Sequence, residues 1–561
     1  MAEIIGTTVG VVGFLGQLFH GCVKAYGYFT EATHMDGDSQ KLLCKVRIEE
    51  MRLVVWGREW GVVEGNFEAH LDRSERSNPQ LRALAKQILE ELHGTVTDFR
   101  KLKETYGLVD EPGEQTKTKN KGDSKPSPKD ESANPLKSEK SWRRELTLRS
   151  KWVIGDKSKF ITLLNDLKDF NDGLERLFPP SQVQSFRRAW THQLLETAQR
   201  DLNKLSLLEN ASSGIYPHLT NSANLKKLRI NLDTKPQSSF KPTYRLKVPR
   251  PALSFPEHQT DDEKHDETTD GPRRFQAQHE TAGDVVIEWV DYDRDALDER
   301  LAHLRRMDDL ARMMHSASDC HPDLQSVDCL GYTDDADRSR YGLVYKAPAP
   351  SHSTLHTLIS SPDLKTPDLD DRVRLAASLA VALWSLHSLD WLHKSLRADN
   401  ILFFPSAFSA AARSPTAAAA LVPDISTPFL VGFDASRPDL DTALSLAPRR
   451  APSPVANLHR HPSSLRGLPY CKAFDVYSLG LLLLEIGLWK VLRSYHRPHY
   501  SPERWRDKVV LPVLVPGLGS KVGKRYKEVV EMCLGADEGM TSGEAGKLME
   551  SVVSKLESIR L

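Results

Sequence analysis

The residues able to do chemistry gather in two short stretches of the second half of the chain. Leu392-His393-Lys394-Ser395-Leu396-Arg397-Ala398-Asp399-Asn400-Ile401-Leu402-Phe403 sets an imidazole, a hydroxyl, a carboxylate and an amide close together. Downstream, Phe429-Leu430-Val431-Gly432-Phe433-Asp434-Ala435-Ser436-Arg437 offers a second carboxylate beside a glycine. Carboxylate and amide oxygens are hard donors for a divalent cation, and a placed carboxylate can take a proton from a hydroxyl. The set is thin for either task. A serine hydroxyl is no useful base at neutral pH, and the single amide of Asn400 cannot hold Mg²⁺ against water by itself. Zinc is not expected either. The six cysteines (Cys22, Cys44, Cys320, Cys329, Cys471, Cys533) contain no CxxC pair, and His459 and His461 lack ligand context. Free thiols in a reducing compartment, the cytoplasm, are the expectation, with no metal.

These stretches need elements to position them. Leu392 follows a long apolar helix pattern over residues 369–391, and another helix is predicted over 474–490. Ahead of them, Val285-Val286-Ile287 reads as a strand, 295–315 as a helix, and 325–332 and 341–345 as further strands. Strands first and helices after imply an α+β arrangement in two lobes. Two inserts, at 405–427 and 438–457, are rich in Ala, Ser and Pro.

The first half has another texture. Apolar residues recur at helical spacing from Val9 to Phe29, from Leu42 to Trp56, from Leu81 to Phe99, and from Trp152 to Leu177, which implies a helical bundle. Residues 109–140 are too charged and Pro-rich to bury a core and are expected to be a flexible loop. Residues 210–275 are polar and Pro-punctuated, a domain boundary. At 561 residues the chain is too long for one ordinary core. Its 76 basic and 76 acidic residues cancel, so no general field points to nucleic acid. Ile4 to Val23 lacks Lys, Arg, Asp and Glu, which is long enough to cross a bilayer. Glu3 stands where a secretory leader would be basic. The expectation is a buried bundle helix. The alternative is membrane insertion through Val9, Val12, Phe14, Leu15, Leu18 and Phe19.

The stretch from Leu392 to Phe403 resembles the protein kinase catalytic loop, the stretch from Phe429 to Arg437 the metal-binding segment, and Phe474 to Glu485 the buried helix of the large lobe. The resemblance covers roughly 280–558 and implies a degenerate site. Ser395 stands at the catalytic aspartate, Gly432 at the metal-binding aspartate, and the strand ending at Val290 contains no lysine. Gly283 stands without a glycine-rich loop. His393, Asn400 and Asp475 match residues that hold the loop. Asp399 and Asp434 are the surrogate carboxylates on which a divergent, ATP-binding active kinase would have to rely.

Residues 1–208 resemble the HeLo domain of fungal HET-s incompatibility (prion-inhibition and propagation) proteins. The resemblance is carried by Val9-Gly10-Val11-Val12-Gly13-Phe14, Phe19-His20-Gly21-Cys22-Val23, Leu53-Val54-Val55-Trp56-Gly57, and Trp152 with Asp166-Leu167, Phe170 and Leu177-Phe178-Pro179. It implies an all-helical effector that perturbs membranes when triggered. The expected protein is therefore multi-domain: an all-α helical bundle over 1–208, a linker over 209–275, and an α+β two-lobed protein-kinase-like fold over 276–561, catalytically dead. The expected function is cell-death-type signalling, with the pseudokinase as interaction and switch module. It needs no cofactor, ATP and Mg²⁺ included, and touches no nucleic acid. Its protein trigger is unidentified, and homo-oligomerisation and membrane association on activation are further expectations. A non-enzymatic scaffold without membrane activity is the remaining alternative.

Overall fold

The computed structural model describes residues 14–30, 37–62, 79–110, 152–234, 245–256, 274–292, 297–405, 422–433, 437–438 and 457–559. It divides into two compact units, Met1–Thr220 and Asn221–Leu561.

The first unit is helix-rich, as its periodicity implies. Its helices are α1 (Phe14–Thr30), α2 (Gly37–Glu59), α3 (Pro79–Thr97), α4 (Phe99–Glu104), α5 (Lys157–Glu175), α6 (Pro180–Ala198) and α7 (Leu202–Ser212). Aspartates start several of them. Asp98, Asp156 and Asp201 each accept two backbone N–H bonds from the first turns of α4, α5 and α7. Glycines let α1 sit close to its neighbours. A Cβ on Gly57 of α2 would collide with the Phe19 ring, and one on Gly21 with the His93 ring of α3. Phe19, Cys22 and Tyr26 are buried with Leu53, Trp56, Leu89 and Leu92. At the centre, Arg52 binds Glu49 (2.9 Å), Asp172 (2.7 Å), Glu175 (2.9 Å) and the Tyr216 hydroxyl (2.7 Å).

Two details differ from expectation. Trp152–Ile154, expected to begin a helix, is a strand β2 paired antiparallel with β1 (Leu108–Asp110). Its Trp-Val-Ile run has β-branched residues that suit a pleated edge better than a first helical turn. The expected linker over 209–275 is also not uniform: Pro217–Thr234 forms helix α8. Within the second unit, α8 is pinned to the turn after α11. Lys226 reaches Asp390 (3.0 Å) and the Ser388 carbonyl (3.0 Å), and Arg229 donates to the Asp390 carbonyl (2.7 Å).

After α8 the second unit contains a five-stranded antiparallel sheet in the order β3-β4-β5-β7-β6, built from Leu253–Ser254 (β3), Arg274–His279 (β4), Gly283–Asp291 (β5), Cys329–Asp335 (β6) and Arg340–Lys346 (β7). Helix α9 (Leu297–Cys320) joins β5 to β6 and packs on β6. Short strands β8 (Ser353–Thr354), β9 (Trp391–Leu392), β10 (Ile401–Phe403), β11 (Phe429–Leu430) and β12 (Arg437–Pro438) follow, with α10 (Leu355–Ser360) and α11 (Leu369–Ser388) between β8 and β9. Strand β10 pairs with both β8 and β11. Helix α12 (Lys472–Leu488) is buried along almost its whole length. It is all-round apolar because it forms the floor of a core shared with α11, α14 (Lys524–Leu534) and α15 (Ser542–Glu557); α13 is Val515–Val522. The strands and helices read from the sequence in this half are present, the strand expected over 325–332 as Cys329–Asp335, while β3, β4, β8, β9, β11, β12 and α10 are among the additions.

Candidate functional site

The site is built outward from Asp475 in the first turn of α12, which is fully buried. Its carboxylate accepts the N–H of His393 (2.8 Å), the N–H of Lys394 (2.9 Å) and the Tyr470 hydroxyl (2.8 Å), with His387 Nε2 at 3.3 Å. Burial alone would raise this carboxyl. The His387 imidazole and the Lys394 N–H prevail and hold it below the usual carboxylate range. The loop it grips is tight enough to force Lys394 to φ +66°.

His393 sits beneath that loop. Its Nδ1 accepts the Ser395 N–H (3.2 Å), so Nε2 carries the proton donated to the Val431 carbonyl (3.1 Å). Burial pushes this imidazole below its ordinary range, which keeps it neutral. Its ring meets the edge of Phe433 at 4.9 Å. Asn400 then turns toward the loop. Its Nδ2 donates to the Ser395 carbonyl (2.6 Å) and hydroxyl (2.9 Å), while its main-chain carbonyl accepts the Val431 N–H (3.0 Å).

Gly432 stands at φ +85°, a conformation that favours glycine, and any Cβ there would collide with the Asn400 amide. The space that a side chain at position 432 would need is thus taken by Asn400. Above it lies a buried ion pair. Arg274 of β4 and Glu288 of β5 are direct cross-strand neighbours, joined by Nη2 to Oε1 at 2.8 Å, with side chains 4% and 2% exposed. The same guanidinium donates to Asn400 Oδ1 (2.6 Å) and to the Asp399 carbonyl (2.7 Å). Glu288 Oε2 accepts the Gly432 N–H (3.2 Å).

The sequence-predicted residues are therefore only partly brought together. His393, Ser395, Asn400, Gly432 and Asp475 form one hydrogen-bonded cluster. The Asp399 carboxylate turns to Arg397 (3.8 Å) and His356 (3.9 Å) and leaves only its main-chain carbonyl to the cluster. Val290 is further along β5, opposite Tyr341, and Glu288 is the strand residue that reaches the cluster. Asp434 lies outside the described residues. Arg274 and Glu288 were not singled out from the sequence. The signal was available: a lone glutamate inside the apolar run Val285-Val286-Ile287-Glu288-Trp289 asks for a buried partner.

Of the membrane candidates, Val9 and Val12 lie outside the described residues. Phe14 is 57% exposed, Leu15 and Leu18 are half-buried and Phe19 is buried. Among the described residues no helix is long and apolar enough to cross a membrane. Cys22, Cys44, Cys329, Cys471 and Cys533 form no disulfide.

Residues 6–208 match the HeLo family, described as prion-inhibition and propagation. Residues 289–557 match a domain family of unknown function, DUF7580. Heterokaryon incompatibility protein s of Podospora anserina is 25% identical to this chain over 231 residues, covering 40% of this chain and 75% of that protein. The helical bundle that the periodicity implied is thus the part of the chain that matches the HeLo model, and most of the second unit falls within the match to the family of unknown function.

Proposed function

We propose that the chain is a fungal incompatibility or cell-death-type signalling protein in which the HeLo bundle is the effector and the second unit is a protein-kinase-like switch without catalysis. The effector part of the reading is supported by the family match and by the name of the Podospora anserina relative. The kinase-like part is supported by the order of a five-stranded antiparallel sheet, the helix α9 after its third strand, and the loop after β9 tied to Asp475.

The observation that carries the loss of catalysis is the packing of Asn400 against Gly432 and Ser395. Phosphoryl transfer needs a carboxylate on magnesium, a base near the hydroxyl and a cation on the phosphates. Here the residues present do not fit a nucleotide-bound magnesium. Gly432 cannot bear a side chain against Asn400, Ser395 is hydrogen-bonded to Asn400, and the strand residue at the cluster is the acid Glu288. Losing one charge-stabilising group costs about two to three orders of magnitude in rate, and several are lost together. The retained residues all hold the loop rather than act on a substrate.

Purified full-length protein tested with labelled ATP and Mg²⁺ should show no transfer, and its melting temperature should be unchanged by ATP with or without Mg²⁺. Transfer abolished by Asp399→Asn would establish the divergent-kinase alternative instead. Liposome leakage by the activated chain, lost on Val12→Asp, separates an effector from a scaffold without membrane activity; leakage that ignores the substitution would count against the N-terminal apolar stretch as the membrane-active segment.

A further inference from the structure

We infer that Arg274 is a built-in cation, held where its guanidinium excludes a divalent metal from a three-oxygen cage formed by Glu288, Asn400 and the Asp399 carbonyl. This deepens the reading above, because it says what the pocket holds in place of magnesium.

The register of the sheet makes the arrangement. β4 and β5 pair so that Arg274 faces Glu288, and the length of the arginine carries its fork past the sheet to the loop before β10. Three oxygens of different origin converge on it: a carboxylate at 2.8 Å, a side-chain amide at 2.6 Å and a main-chain carbonyl at 2.7 Å. Carboxylate, amide and carbonyl oxygens are the ordinary ligands of Mg²⁺, Mn²⁺ and Ca²⁺. Left without a cation they would turn their negative ends on one another in a buried site. A guanidinium is always charged and cannot leave by deprotonation, so it neutralises them permanently. It is also planar and broad, and two cations cannot share the cage. Among the described residues its Nε has no hydrogen-bond partner. The fork is therefore committed to these oxygens through its two terminal nitrogens alone.

The arrangement also ties the sheet to the loop. Glu288 takes the Gly432 N–H with its second oxygen, and Asn400 takes Ser395 with its nitrogen. A single side chain thus bridges β4, β5, the Asp399–Asn400 turn and, through Glu288, the segment after β11.

Manganese binding by the full-length protein, counted by electron paramagnetic resonance, tests the inference. Wild-type protein should bind no Mn²⁺ at this site. Arg274→Ala should gain one Mn²⁺ per chain, and Arg274→Ala with Glu288→Gln should lose that gain by at least about tenfold in affinity. If Arg274→Ala loses its near-ultraviolet circular dichroism, Arg274→Gln, which keeps a hydrogen-bond donor without charge, takes its place. A folded variant that gains no Mn²⁺, or a wild-type site that binds Mn²⁺ and loses it on Glu288→Gln, would overturn the inference. Failure here leaves the absence of catalysis standing, because that is read from phosphate transfer; transfer by the wild type would instead remove the earlier reading.

Discussion

Asp475 gathers two main-chain N–H groups and a hydroxyl on one buried carboxylate, so its removal strands several donors at once. Each buried donor left unmet costs about 1–3 kcal/mol. Asp475→Ala should therefore lower the unfolding free energy of the second unit by about 3 kcal/mol or more, measured by urea denaturation, whereas Tyr470→Phe, which removes one hydroxyl, should cost about 1 kcal/mol. Equal losses in the two variants would mean the carboxylate is not the hub. Asp475, His393 and Asn400 were legible in the sequence because motif spacing fixes them. Arg274 was not, because its role depends on the register of β4 with β5, and register is a property of paired strands rather than of either strand alone. Glu288 and Val290 share one face of β5, so alternation does not separate them, and only the pairing with β4 shows that Glu288 is the one opposite Arg274.

At the scale of elements, α1 depends on two glycines of close approach. Phe19 rests on Gly57, and His93 rests on Gly21. A methyl at Gly57 has no free volume, so Gly57→Ala must move either the Phe19 ring or the helix. It should destabilise the first unit by about 1–3 kcal/mol and raise protease cleavage within α1 relative to wild type. Unchanged cleavage would show that the α1–α2 contact absorbs the methyl. The buried ionic centre works on the same bundle from inside. Arg52 carries three carboxylates and a tyrosine hydroxyl. Removing it while leaving them buried should cost about 3–5 kcal/mol, so Arg52→Met is expected to be the more damaging change in thermal denaturation. The helices themselves were legible from periodicity. The β1–β2 pair and α8 were missed: β1 and β2 have too few residues for a period to emerge, and α8 has apolar positions diluted by Lys226, Lys227 and Arg229, two of which are buried on Asp390 and its neighbours.

Across the whole molecule, the two units carry opposite proton linkages. In the second unit His393, His352 and His461 all have folded pKa values lowered, first by burial. Below the ordinary histidine value of about 6.5 the unfolded chain binds protons that the folded unit refuses, so stability is full above that pH and falls as the solution is acidified. Asp475 and Asp390 have lowered values too, and their share is lost only at lower pH, below the ordinary carboxylate value of about 4. The first unit contains the reverse case. Burial pushes half-buried Glu50 on α2 up to about 7, against Arg47, which lowers it. The folded unit then holds a proton that the unfolded chain has released, so Glu50 weakens this unit as pH rises from about 4.3 to about 7. Calorimetry of the full chain should resolve two transitions that shift in opposite directions between pH 7 and pH 5, the first unit's rising and the second's falling. Glu50→Gln should flatten the rising one and stabilise the first unit at pH 8 by on the order of 1 kcal/mol, without touching the other. Two transitions that fall together on acidification, or a Glu50→Gln chain whose slopes match wild type, would show that these side chains do not set the balance. Were they to shift as expected, mild acid alone would loosen the unit that holds the Asp475 cluster while leaving the helical bundle intact, a separation of their stabilities that follows from the titrating side chains of each unit alone.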